Sequence, residues 1–195
     1  MRLALFLVCL LPLWASADEG WREVMHDAHE PSIDGAHELA RRVLTQLSPD
    51  AYGRSDLAQA EALLDAPMQA TDYQALLGRW RCRSIQVDAS GVFAYPAFRC
   101  EIELVEDGTL MFTKTSGSQR RHGQIYPFGA GSWVFLGGQS VNDEPYRSYS
   151  GTFADADGED LALDSVGLVE TLKNGQLRII LDASDGRVEF YQLMR

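Results

Sequence analysis

The sequence predicts a mainly β protein of the α+β class. Its core is an antiparallel up-and-down β-barrel or strongly curved sheet of about eight strands, preceded by a short helical N-terminal segment. Three observations predict this. From Arg79 onward the apolar residues recur with a period of two. Turn signals break that region at short intervals: Glu106-Asp107-Gly108, Gly129-Ala130-Gly131, Asp157-Gly158, Asn174-Gly175 and Asp185-Gly186. From Asp18 to about Ala70 the spacing is helical instead.

The chain opens with a different signal. Met1-Arg2 is a short basic start, Leu3 to Trp14 is apolar apart from Pro12, and Ala15-Ser16-Ala17 presents small residues before polar Asp18-Glu19-Gly20. This pattern predicts a secretory signal peptide, residues 1–17, cut after Ala17, and hence an exported, periplasmic protein. Losing Arg2 with the leader takes the formal charge from −11 to −12. Such an acidic chain is repelled by polyanions, which argues against nucleic acid as a partner. No further apolar run reaches the ~18 residues of a transmembrane segment. With 46% hydrophobic residues the remainder can build a core. The expected division is a helical segment over 18–77 and a barrel domain over 78–195.

In the helical segment, Ala36, Leu39, Ala40, Val43, Leu44 and Leu47 share one face, with Asp34 as the expected cap and Ser48-Pro49 as the stop. Leu57, Ala60, Leu63 and Leu64 form a second stripe between Ser55 and Pro67. Thr71-Asp72-Tyr73-Gln74 reads as a capping box opening one short turn before Gly78. Helices this short are marginal alone, so they must pack on something.

The runs expected as strands are 79–87, 98–105, 109–115, 119–126, 133–137, 146–153, 165–172, 176–182 and 188–194. Asn174-Gly175 is the strongest hairpin signal. Val134-Phe135-Leu136 and Leu177 to Leu181 are apolar on both faces, and the N-terminal helices are the available cover for their outer side.

With Cys9 in the leader, Cys82 and Cys100 remain, an even number in an oxidising compartment. A disulfide between them is expected, worth about 3 kcal/mol by loop closure. If Cys82 faces Cys100 across an antiparallel pair, Arg81 faces Glu101 and Arg79 faces Glu103, leaving only Arg83 against Arg99 unfavourable. Their spacing is not that of a zinc or Cys-x-x-Cys motif.

The densest polar segment is Thr115 to Gly123. Ser118, Gln119, Arg120 and His122, with Tyr126 near one rim, form the candidate ligand-binding set. In a strand, Arg120 and His122 share one face and Arg121 takes the other, where it would be turned away or form a structural ion pair. The plainer reading is a polar hairpin that ties loops together. His26 and His29 lie on one helical face with His37 beyond, which reads as a solvated face rather than a metal site. Asp155 to Asp160 has the look of a calcium loop with Asp164 in the closing position, yet Phe153 occupies the first ligand position; a solvated acidic turn is expected. No metal and no cofactor is expected. The motifs of Gly-x-Ser-x-Gly hydrolases, His-Glu-x-x-His metalloenzymes, phosphate-binding loops and dinucleotide folds do not occur.

Trp80-Arg81-Cys82-Arg83, Tyr95-Pro96-Ala97-Phe98-Arg99-Cys100, Lys114 to Arg120, Gly123-Gln124-Ile125-Tyr126-Pro127 and Phe135-Leu136-Gly137 occur in that order. Together they resemble the bacterial exported family called domain of unknown function 4893, over most of Gly78 to Arg195. The resemblance implies an exported protein and carries over no activity or catalytic residue. This chain departs from it at Asp182-Ala183-Ser184-Asp185-Gly186, which replaces a more proline-rich turn. Gly78-Arg79-Trp80 also looks like the start of lipocalin-type barrels, a weaker likeness. That likeness implies that Trp80 plugs one barrel end under an arginine from late in the chain, Arg178 or Arg195; the alternative reading of Trp80 is plain core.

The function expected from these readings is non-enzymatic binding of a small or lipid-like ligand, or an anionic one, in the barrel mouth. The alternatives are an envelope protein-interaction module without a small ligand, and a hydrolase using Ser118 and His122.

Overall fold

The structure is a computed structural model that describes residues 20–129, 131–152 and 158–195. The expected signal peptide and its cleavage site lie outside the described residues. Four helices come first: α1 (Gly20–Val24), α2 (Glu30–Asp34), α3 (Ala36–Gln46) and α4 (Leu57–Asp65). Then follow β1 (Gly78–Asp88), β2 (Gly91–Leu104), β3 (Leu110–Lys114), β4 (Gln119–Phe128) and β5 (Ser132–Val141). A helix, α5 (Gly158–Leu163), precedes β6 (Asp164–Thr171), β7 (Leu177–Leu181) and β8 (Arg187–Met194). Each strand pairs antiparallel with the next, and β8 pairs back onto β1, so the eight strands close into a barrel. Closure removes the exposed edges an open sheet would present. Among the described residues, no helix is long and apolar enough to cross a membrane.

Alternation sorts each strand into an inner and an outer face. The inner face carries Trp80, Phe112, Ile125, Phe135, Ile179 and Tyr191, all buried. An eight-stranded barrel is just wide enough for such side chains to fill it. Gly123 and Gly137 face each other across β4 and β5. A Cβ on Gly137 would sit 2.4 Å from Cζ of Phe135, and one on Gly123 would sit 2.2 Å from the carbonyl oxygen of Leu136. Only glycine lets the strands come this close over the Phe135 ring.

One end is sealed. Trp80 donates from Nε1 to the carbonyl of Leu76 at 2.9 Å, and the Arg195 guanidinium lies 4.0 Å above its ring. Arg195, not Arg178, takes that position. Arg178 lies on the outer face and is buried. Its Nε donates to Glu170 at 2.8 Å, and its Nη1 donates to the carbonyls of Leu63 and Leu64 at 2.6 and 2.7 Å. One guanidinium thus caps the C-terminal turn of α4 and fixes it to β7, where the helix dipole favours a cation.

The helices cover the apolar outer faces as the patterning requires. Ala40, Leu44 and Leu63 pack against Ile85, Ile180 and Phe190, while Trp21 and Ile33 pack against Val134, Leu136 and Val166. Each such fully buried Val, Leu, Ile or Phe side chain contributes roughly 1.5–3 kcal/mol relative to exposure.

Several local expectations are corrected. Residues 146–149 are not a strand and 150–152 form a single 3-10 turn; Phe153 lies outside the described residues. The segment is held instead by its side chains: Tyr149 is buried against His29, and Ser150 binds Asp164. With eight strands closed, no edge is left for a ninth. The N-cap of α3 is Gly35, because Asp34 is engaged with Arg22; that of α4 is Asp56 rather than Ser55. In the short turn at 73–75, Asp72 rather than Thr71 caps, accepting from the Gln74 N–H at 3.0 Å.

The β1–β2 register differs by two residues from the expected one. Trp80 opposes Cys100 and Cys82 opposes Phe98, with Arg79 opposite Glu101 and Arg81 opposite Arg99. An exposed Arg79–Glu101 ion pair and a bulge between Arg83 and Ile85 accompany this register. Cys82 and Cys100 are therefore diagonal neighbours and stand as buried free thiols, in place of the expected disulfide. Burial and the hydrogen-bonded Cys100 thiol push the Cys82 pKa well up.

Candidate functional site at the polar mouth of the barrel

Opposite the Trp80 end the barrel interior turns polar. On β4, Arg121 points inward and is buried, while Arg120 and His122 point outward, as alternation predicts. Arg121 donates from Nε to Ser165 Oγ at 2.7 Å and from Nη1 to the Tyr191 hydroxyl at 2.8 Å. Its Nη2 reaches Asp182 at 3.0 Å and Glu189 at 2.6 Å. Burial alone would depress the guanidinium pKa, but Glu189, Tyr191 and Asp182 outweigh it and raise it well above its ordinary value. Glu189 also accepts from Ser84 and from Gln86. Lys114, buried nearby, donates to the Gln119 carbonyl and lies 4.6 Å from the centre of the Phe98 ring. Two carboxylates are thus matched by two cations, which is what a buried ionic cluster needs.

Asp182 adopts φ +51°, a left-handed conformation at the end of β7. That turn lets its carboxylate accept from the Val166 N–H at 3.0 Å and from Ser165 Oγ while facing Arg121. A non-glycine residue held there marks a position where side-chain placement matters more than backbone ease.

Above this network lies a cleft of roughly 240 Å³ lined by Gln86, Gln119, Arg120, Gln139, Ser140 and Arg187, with Asp182 and Glu189 on its floor. Gln86 donates to Gln119 Oε1 at 2.8 Å, joining two of the rim amides. Two buried polar atoms of the lining residues have no hydrogen-bond partner: Arg120 Nε and Ser140 Oγ. Arg120 and Ser140 are register partners on β4 and β5, so their side chains rise side by side on one face. Buried polar groups are nearly always satisfied, and each orphan costs about 1–3 kcal/mol.

Not every residue singled out from the sequence meets here. Gln119 and Arg120 line the cleft. Ser118 is exposed at the turn before β4, where its carbonyl accepts from the Asn142 N–H at 2.8 Å. His122 stacks on Tyr146 with centroids 5.2 Å apart, and its Nδ1 is 2.8 Å from Thr113 Oγ1. Burial lowers its pKa. Arg120 lies over the same Tyr146 ring at 4.7 Å and donates to the Glu144 carbonyl. Tyr126 stands six residues along the strand, about 20 Å from Arg120; its hydroxyl donates to Gln124.

The family model described as Domain of unknown function (DUF4893) matches residues 21–190. The chain belongs to this family. No curated protein and no solved structure matches it.

In this member of the family a second polar cluster ties the N-terminal segment to the barrel. His29 Nδ1 is 2.7 Å from the Tyr149 hydroxyl, His26 Nε2 is 3.1 Å from Ser150 Oγ, and Ser150 donates to Asp164 at 2.6 Å. His26 and His29 are therefore half-buried structural groups, not a solvated helix face. Burial lowers the His29 pKa, and it raises that of Tyr149 to about 12. His37 pairs with Glu170 at 3.0 Å. Asp155 and Asp157 lie outside the described residues, and Asp164 is committed to Ser150. Among the described residues, no group of three or more His, Cys, Asp or Glu could hold a metal ion.

The cleft residues not legible from the sequence are Gln86, Gln139, Ser140, Asp182, Arg187 and Glu189. Two left a trace: Gln86 interrupts Ile85 and Val87, and Glu189 interrupts Val188 and Phe190. A polar residue between apolar ones on a strand marks an inner face that is not purely apolar.

Proposed function

We propose that the protein is an exported, periplasmic, non-enzymatic binding protein that holds a small polar ligand with an anionic group at the barrel mouth. One observation carries this reading: Arg120 and Ser140, two residues that line the cleft, each hold a buried polar atom without a hydrogen-bond partner, Nε and Oγ, while the neighbouring Arg121 is fully engaged. A carboxylate or phosphate oxygen supplies the acceptor that Arg120 Nε lacks, and it accepts a charge-assisted bond there. Ser140 Oγ can donate to the same group. The filled interior supports a polar ligand at the mouth over a lipid-like one inside the barrel, because Phe112, Phe135 and Tyr191 occupy that space. The apolar leader with its Ala15-Ser16-Ala17 site supports export. The hydrolase reading gains no support, since His122 is hydrogen-bonded to Thr113 and stacked on Tyr146.

Native mass spectrometry of the full protein purified from the periplasm tests the proposal. The expected result is a mass excess from a retained small molecule that disappears in Arg120→Ala. A bare mass for the parent protein, combined with no binding of added acetate or phosphate, would overturn it.

A further inference from the structure

We infer that the ligand held at the mouth is a saccharide bearing an acidic group. This deepens the proposed function and rests on it. The observation behind it is an aromatic lip that the binding reading does not use. Phe93 is the register partner of Gln86, so the two side chains stand on one face, and Gln86 lines the cleft. Tyr95 follows two residues later on the same face, and its hydroxyl reaches Gln86 Oε1 at 3.5 Å. Tyr52 stacks on Phe93 with centroids 5.4 Å apart and planes 25° apart. Tyr52 is 70% exposed and Tyr95 39% exposed. Large rings left in water at one rim of a polar cleft mark a contact surface rather than core.

The two halves of the site answer two halves of one ligand. A pyranose ring has an apolar face of C–H bonds, which packs on the negative face of an aromatic ring. Its edge carries hydroxyls that each donate and accept, and these match the amides of Gln86, Gln119 and Gln139, which also do both. Its acidic group supplies the acceptor that the buried Nε of Arg120 and the hydroxyl of Ser140 lack. A simple inorganic anion would leave the rings and the remaining donors and acceptors of the amides unused, and a lipid chain would leave the amides unused. The cleft of roughly 240 Å³ suits one sugar unit.

Saturation-transfer NMR on the full chain, with glucuronic acid, glucose and acetate as probes, tests this. Glucuronic acid is expected to bind at least tenfold more tightly than acetate, with saturation strongest on its ring C–H protons. Tyr52→Ala and Tyr95→Ala should each weaken glucuronic acid severalfold and leave acetate unchanged. Tyr95→Leu, which keeps the bulk and loses the π face, should behave like Tyr95→Ala and guards against a folding artefact. Arg120→Ala should abolish the preference for glucuronic acid over glucose. Acetate binding that depends on Arg120, with glucuronic acid no tighter than acetate, would overturn the saccharide inference and leave the mouth as an anion site. Failure of all three probes to bind would overturn both.

Discussion

The two ends of this barrel are built from the same eight strands and solve opposite problems. At the sealed end, Trp80 lies under Arg195 with its single polar atom bound to Leu76, and the side chains packed with it are aliphatic, aromatic or buried thiols. At the mouth, Arg121 is held by Ser165, Tyr191, Asp182 and Glu189, and the rim above keeps two polar atoms without partners. The sealed end shows complete satisfaction by packing. The mouth shows complete satisfaction one layer down and incomplete satisfaction at the rim. That difference supports the proposed binding site: a protein that satisfies the deeper charges so fully has little structural reason to leave Arg120 Nε without a partner.

The largest expected effects fall on the two buried anchors. Arg121→Ala strands Asp182 and Glu189 as buried unpaired carboxylates and should cost about 3–5 kcal/mol in denaturant unfolding. Adding Glu189→Gln should recover part of that loss, because one orphaned charge is removed. Trp80→Ala should cost a similar amount, about 3–5 kcal/mol, by opening a cavity. No partner substitution at the sealed end should rescue it. Rescue at both ends, or at neither, would erase the contrast drawn between them.

A middle-sized effect is expected from pH. For Glu170, burial works to raise the pKa, but the hydrogen bonds and charges of His37 and Arg178 prevail and hold it below 4.5. Its contribution is present above its unfolded value and is lost as pH falls through the lowered folded value. His29 carries the same sign: burial lowers its pKa from 6.5, so protonation favours the unfolded chain, and stability falls as pH drops below about 6.5. Thermal melting should therefore decline in two stages on acidification. His29→Gln should shrink the upper stage and leave the lower one unchanged; the remainder belongs to His122, whose pKa burial also lowers.

Much of the barrel was legible because alternation is a local signal. Leu110 to Lys114, Asn174-Gly175 and the split of Arg120 from Arg121 could all be read within a few residues. The register between β1 and β2 was not, since it depends on a bulge at Arg83–Ile85 that leaves no composition signature. Tyr146 to Phe153 alternates like a strand, yet Tyr149 and Ser150 are held by His29 and Asp164, which lie outside the segment. The site was half legible for the same reason. Arg120 announces itself inside a cationic segment, but the partners of Arg121 come from β6, β7 and β8, and only closure of the barrel brings them together.

The smallest structural effect belongs to Arg120→Ala. It loses a bond to the Glu144 carbonyl and its place over Tyr146, so a change within about 1 kcal/mol is expected. Its effect on ligand binding should be far larger than its effect on melting, the reverse of Trp80→Ala.

Side-chain NMR observes both ends at once. The Nε–H resonance of Arg120 reports the open mouth, and the Nε1–H resonance of Trp80 reports the sealed end. On titration with acetate or glucuronic acid, the Arg120 signal should shift saturably while the Trp80 signal stays in place. An Arg120 signal that does not move, or one that moves only in step with Trp80, would contradict the assignment of the mouth as the binding site.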